Sequence, residues 1–331
     1  MKIAFFDTHH FERVVFEVVF KDKHHTINYI EPRLLPQTAA MAKGADVVCC
    51  FANDRLNAET LKILKENGIK LIALRSAGFN HVDLAMAKEL LLPIVRVPEY
   101  SPYAVAEHAV ALLMTLNRKI HKAYARVRES NFSLEGLTGF DVHGKTVGIM
   151  GLGRIGTAAA QIFKGFGCKV LVFDKLASAE LEKKLGVEFT DKVNLLKNSD
   201  IISLHLPLTP ETKYILNEDA FRQMKDGVVI INTGRGGLIE TKSLIRALKT
   251  KKLGGAGLDV YELEEGVFFN DLSVGGIDDD VLARLTTFPN VVITSHQAFL
   301  TNEALRNIAD QTLKNIEAFA RGDLINQVGA Y

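Results

Sequence analysis

Three short stretches end in side chains that can bind an anion or move a proton. INTGRGG sets Arg235 in a glycine-flanked turn, LDVYELEEG sets Asp259 and then Glu262, Glu264 and Glu265, and TSHQAF sets His296. A guanidinium fork binds a carboxylate bidentately and polarises the carbonyl beside it. An imidazole delivers a proton, and a neighbouring carboxylate keeps it charged and oriented. Taken singly, each has an ordinary reading: Arg235 as a surface turn residue, the glutamates as solvated loop charges, Asp259 as a turn cap, His296 as a core histidine with a hydrogen-bond partner. Taken as a set, they are what hydride transfer to a 2-keto acid requires, with His296 as the acid.

GLGRIG, Gly151 to Gly156, supplies the other half of that chemistry. A lone G-x-G-x-x-G is weak, because glycines recur in many turns. Here it follows the apolar run TVGIM and opens a helix near Ile155, where bare backbone approaches a pyrophosphate and the helix N-terminus offers N–H donors. The next apolar run, KVLVFD, ends in Asp174, placed to accept from adenosine ribose hydroxyls. The order implies NAD, and the Asp174 charge disfavours a 2′-phosphate, with Lys175 beside it working the other way. Arg154 points either to solvent or to the pyrophosphate.

These residues need strands to carry them. Short Val- and Ile-rich runs alternate with longer helical patterns, the signature of βαβ units around parallel sheets. The first part holds KIAFF, TINYI, DVVCCF, KLIALR and PIVRVP; the second holds TVGIMG, KVLVFD, DIISLHLP, GVVIINT, GAGLDVY and VVITSH. Five and six strands predict an α/β protein of two doubly wound parallel-sheet domains, in which ligands bind beyond the carboxyl ends of the strands. Between the sets, YSPYAVAEHAVALLMTLNRKI predicts one long helix capped by Ser101 with Pro102 at its first position. It runs from one domain to the other and is apolar enough to be a dimer contact. NEALRNIADQTLKNIEAFARGD predicts a final helix packed back on the first domain. The domains are then 1–99 with 300–331, and 100–299.

The chain has 331 residues and a net charge of +1, so no basic field marks a nucleic-acid partner. No apolar run approaches the roughly 18 residues that span a bilayer, and the N-terminus lacks the apolar core and cleavage site of a secretory signal. Three cysteines, Cys49, Cys50 and Cys168, sit in apolar segments and fit a reducing cytoplasm. His9-His10 and His24-His25 have no ligand-spaced Cys or carboxylate cluster, and no metal is expected.

RSAGFNHVDL, YSPYAVAEHA, LEGLTGFDVHGKTVGIMGLGRIG, HLPLTPETKYILN, NTGRGGLIE, GLDVYELEEG and SHQAFLT together resemble the D-2-hydroxyacid dehydrogenase family over essentially the whole chain. SHQAFLT is closest to its lactate-type members. The resemblance implies a Rossmann NAD domain inserted in a flavodoxin-like substrate domain, and NAD-dependent reduction of pyruvate to D-lactate. It implies that Arg235 binds substrate, Glu264 partners the histidine and His296 is the acid/base. It places Asp259 by the nicotinamide, and Gly151, Gly153, Arg154, Ile155, Gly156, Asp174, Leu206, Pro207, Thr212, Thr233 and Gly234 along the NAD site. Ser76, Ala77 and Gly78 would present N–H groups to the substrate carboxylate, with Tyr100 and Phe299 bordering its pocket. Phe51, ending DVVCCF, is either a wall of that pocket or an ordinary core residue. A homodimer or homotetramer is expected. Other readings are a dehydrogenase for glycerate or a bulkier acid, and an NAD-sensing interaction protein.

Overall fold

The computed structural model describes residues 1–329. Its chain divides into two compact units, one of Met1–Ser101 with the stretch from Leu300 onward, the other of Pro102–Phe299.

The first unit holds β1 (Lys2–Phe5), β2 (Thr26–Tyr29), β3 (Val47–Cys50), β4 (Leu71–Leu74) and β5 (Ile94–Val95). They form one sheet in the order β2-β1-β3-β4-β5, every pairing parallel. Every side chain of VVCC and LIAL is buried, as expected where helices cover both faces of a parallel sheet. Chain direction across the sheet reverses between β1 and β3, so Asp7, Phe51 and Ser76, which follow β1, β3 and β4, gather at one edge. The helix Asn302–Ala320, capped by the Thr301 side chain on the Ala304 N–H, packs on the helix His10–Val19 and on β4. The C-terminal helix thus packs within the first unit.

The second unit holds β6 (Thr146–Met150), β7 (Lys169–Phe173), β8 (Glu188–Phe189), β9 (Ile201–Leu204), β10 (Val228–Asn232), β11 (Leu253–Leu258) and β12 (Val291–Ile293). The order is β12-β11-β10-β9-β6-β7-β8, again all parallel. The sheet has seven strands rather than the six expected. The extra one, β8, is a two-residue edge pairing Glu188 with Leu171 and Phe189 with Val172. The reversal falls between β6 and β9, directly beside the loop GLGRIG.

The helix after Ser101 forms in the expected stretch and lies wholly within the second unit. It spans Pro102–Arg118, then Lys119 adopts a left-handed backbone (φ 50°) and a second helix runs Ile120–Arg128. Val105, Ala109, Leu112 and Leu116 of the first are spent inside the unit's own core. The second buries nothing.

Candidate active site

Glycine makes the loop after β6 possible. Gly151 has φ 96°, and a Cβ on Gly156 would lie 1.9 Å from the Gly151 carbonyl oxygen, so both positions exclude side chains. At Gly153 a Cβ would meet nothing within 4 Å; the space above the loop is open. Gly153 is the N-cap of the helix Arg154–Gly165 and leaves its first N–H groups without a side-chain cap, the arrangement that receives a phosphate. Asp174, one residue beyond β7, accepts the Leu152 N–H at 2.6 Å and the Leu176 N–H at 2.7 Å. Arg154 and Ile155 begin the helix, Arg154 exposed. Across the reversal, Leu206 and Pro207 follow β9, and the Thr212 hydroxyl donates to the Pro207 carbonyl at 2.6 Å, closing that loop on itself. Thr233, after β10, is buried with a hydroxyl that has no hydrogen-bond partner. Buried hydroxyls are normally paired. An open glycine loop, an uncapped helix start, an acid at the next strand end and this orphaned hydroxyl fit a dinucleotide.

The turn after β10 presents Arg235. Buried Asn232 fastens it from both sides, donating to the Arg235 carbonyl at 3.0 Å and accepting the Gly234 N–H at 3.0 Å. A Cβ on Gly236 would sit 2.0 Å from the Tyr261 carbonyl, so this turn lies flat against the chain leaving β11. Glu262 secures that chain by accepting from the Thr241 hydroxyl at 2.8 Å and from Tyr214. The Arg235 guanidinium donates to the Gly234 carbonyl at 2.7 Å. Among the described residues no carboxylate is paired with it.

His296 and Glu264 come together. The imidazole Nδ1 lies 3.0 Å from Glu264 Oε1, both side chains about one-fifth exposed. With Nδ1 turned to the carboxylate, Nε2 is the atom left to act. His296 holds a left-handed backbone, φ 53°, which costs a non-glycine residue energy and persists only where surroundings enforce it. Asp259 enforces it: its carbonyl accepts the His296 N–H at 2.7 Å, and its fully buried carboxylate accepts the N–H groups of Gln297 and Ala298 at 2.8 and 2.9 Å. The Thr294 hydroxyl adds a bond of 2.5 Å, and His108 Nε2 stands 3.0 Å from that hydroxyl and 3.3 Å from the carboxylate. Burial alone would raise the Asp259 pKa, but the bonds from His108, Thr294, Ala298 and Gln297 outweigh it and hold the carboxyl below its usual range. Phe299, buried, follows this loop directly.

In the first unit, Ser76, Ala77 and Gly78 leave β4 with their carbonyls engaged. Val97 N–H bonds the first, Arg96 the second at 2.6 Å, and the Ser76 hydroxyl the third at 2.7 Å. Their three N–H groups donate to nothing among the described residues. Consecutive unengaged N–H groups make an anion-binding concavity. Tyr100 accepts at its carbonyl from Asn307. Phe51 is buried, its N–H held by Asp54 at 2.7 Å and its ring 5.5 Å from that of His9.

Sequence reasoning passed over His108 and Asn232. His108 carried a signal: it stands three residues after Val105 and four before Leu112, a polar residue on an apolar helical stripe. Among the described residues no three His, Cys, Asp or Glu side chains group as a metal centre, and no helix is long and apolar enough to cross a membrane.

Residues 110–298 match the family model described as D-isomer specific 2-hydroxyacid dehydrogenase, NAD binding domain. The chain is 51% identical to 2-hydroxyacid dehydrogenase homolog 1 of Schizosaccharomyces pombe, over 97% of this chain and 96% of that one. It is 50% identical to the D-lactate dehydrogenase of Escherichia coli strain K12, over 98% of both. The apo-structure of D-lactate dehydrogenase from Escherichia coli superposes with a TM-score of 0.90 at 48% identity, covering 99% of this chain and all of that one.

Proposed function

The chain belongs to the D-isomer specific 2-hydroxyacid dehydrogenases, and from that membership we propose that it is an NAD-dependent D-lactate dehydrogenase that reduces pyruvate to D-lactate. The observation that carries the chemistry is the His296–Glu264 hydrogen bond at a strand end, on a loop that Asp259 holds in a strained backbone.

NAD is the cofactor; in reduced form it supplies hydride to the keto carbon. The residues that would hold it are Gly151, Gly153, Arg154, Ile155 and Gly156 at the pyrophosphate, Asp174 at the adenosine ribose, and Leu206, Pro207, Thr212, Thr233 and Gly234 along its length. Asp259 borders the nicotinamide side while bracing His296. Arg235 takes the substrate carboxylate as a fork and polarises the adjacent carbonyl. His296 Nε2 gives its proton to the carbonyl oxygen as negative charge develops there, and Glu264, bonded to Nδ1, holds the ring in orientation. Within the first unit, the unengaged N–H groups of Ser76, Ala77 and Gly78 are suited to a carboxylate, and Tyr100, Phe299 and Phe51 are assigned to substrate binding by the family resemblance alone.

The test is NADH oxidation on adding pyruvate, with phenylpyruvate and hydroxypyruvate in parallel. Turnover preferring pyruvate is expected. Preference for another keto acid changes the substrate, and NADH binding without turnover on any of them rejects the enzyme. Glu264→Gln leaves a side chain that can still bond Nδ1 but without its charge, so kcat for pyruvate should fall about 10- to 100-fold while NADH binds as before. An unchanged kcat removes Glu264 from this role.

A homo-oligomer is supported by the helix Ile120–Arg128 and the loop after it. Ile120, Tyr124, Val127, Phe132 and Leu134 are all more than half exposed, a run of apolar surface that a second copy would cover. Light scattering should give a dimeric or tetrameric mass; a monomer would refute it. Cys49, Cys50 and Cys168 are free and buried, which supports a cytoplasmic enzyme.

A further inference from the structure

Arg75 is a cation that the chemistry above does not use. Its side chain has no exposure at all and that of Glu12 has 1%. The guanidinium grips Glu12 in a fork, Nε to Oε1 and Nη2 to Oε2 both at 3.0 Å. It also donates to the Asp7 carbonyl at 3.1 Å and to the Cys49 carbonyl at 3.2 Å, and it lies 3.9 Å from the centre of the Phe5 ring and 5.1 Å from that of Phe51. Its own N–H bonds the Cys50 carbonyl at 2.9 Å.

Burying two charges is costly, and well-packed apolar residues often serve stability as well. What an apolar side chain cannot do here is bond Glu12, the Asp7 carbonyl and the Cys49 carbonyl, three groups on different elements. Glu12 lies on the helix His10–Val19, Asp7 follows β1, and Cys49 and Cys50 end β3, so one side chain and its backbone tie the carboxyl ends of β1, β3 and β4 together. The next residue is Ser76, where the unengaged N–H groups begin, and Phe51 lies against the same guanidinium.

We propose that Arg75, clamped by Glu12, is a positioning residue for the keto acid: it sets the Ser76–Gly78 turn and Phe51 without touching substrate. This rests on the pyruvate-reductase reading above. If the unmodified enzyme binds NADH but turns over no keto acid, that reading has failed; the positioning role is judged only on differences between an active enzyme and its variants.

Arg75→Lys keeps a cation beside Glu12 but cannot reach all the carbonyls. In the full-length enzyme, kcat/KM for pyruvate should fall about 10- to 100-fold, carried by KM. The NADH Kd, read by fluorescence, should stay within about twofold, because the dinucleotide residues lie in the other unit. Glu12→Gln, which loosens one side of the clamp, should do the same more weakly, and Glu12→Asp should recover most of the loss. A folded variant with lowered Tm and unchanged pyruvate KM overturns the proposal. So does failure of both Arg75→Lys and Glu12→Gln to fold, since the pair would then serve stability alone.

Discussion

Replacing His296 with Asn should lower kcat for pyruvate reduction by about 100- to 10,000-fold, the contribution of a positioned general acid. Asn is the informative choice because it tolerates the left-handed backbone that His296 holds at φ 53°. The loop braced by Asp259 therefore keeps its shape, and the measured loss belongs to the proton rather than to a displaced segment. NADH should bind as before, since no dinucleotide residue changes. Steady-state rates with a parallel NADH titration decide the matter. A loss smaller than about tenfold would return His296 to the role of a hydrogen-bonded core histidine.

The second large effect falls on Arg235. Arg235→Lys retains the charge yet loses the planar fork, and with it the simultaneous hold on carboxylate and carbonyl. We expect kcat/KM for pyruvate to drop about 100- to 1,000-fold, the usual cost of removing a donor aimed at developing negative charge. No carboxylate pairs with this guanidinium among the described residues, and its bond to the Gly234 carbonyl is local. The substitution should therefore leave Tm nearly unchanged. A pyruvate KM and kcat both close to those of the unmodified enzyme would exclude Arg235 from substrate binding.

How much of this could be read in advance depends on where the signal lies. VVCC, LIAL and VVIIN announce themselves because a strand buried on both faces is a continuous apolar run. Glu188 and Phe189 do not, since two residues at a sheet edge owe their conformation to β7 rather than to their own types. LMTLNRKIHKAY contains no helix breaker, so nothing local marks the left-handed Lys119 that splits it. At the site, Arg235 and His296 stand out as polar residues closing apolar strands. Composition cannot choose among Glu262, Glu264 and Glu265; family resemblance pointed to Glu264, and the geometry pairs Glu264 with the imidazole and turns Glu262 toward Thr241. His108 acts on a hydroxyl 186 residues away, and Arg75 on Glu12 at a separation of 63. Partners that distant leave no trace in spacing, which reports only on neighbours along one element.

The route of the chain also has a consequence during synthesis. It leaves the first unit at Ser101 and re-enters it at Leu300, and the helix Asn302–Ala320 then brings Leu305, Ile308, Leu313 and Ile316 to bury. On the ribosome, the roughly 200 intervening residues take about 10 to 40 s to make at ordinary elongation rates. For that interval the five N-terminal strands wait with the surface beside the helix His10–Val19 uncovered, while all seven strands of the second unit emerge in one uninterrupted stretch. The cofactor-binding half can complete itself first. The half that carries Ser76–Gly78 is finished last, and a nascent chain stalled near Phe299 exposes an aggregation-prone sheet beside a folded neighbour.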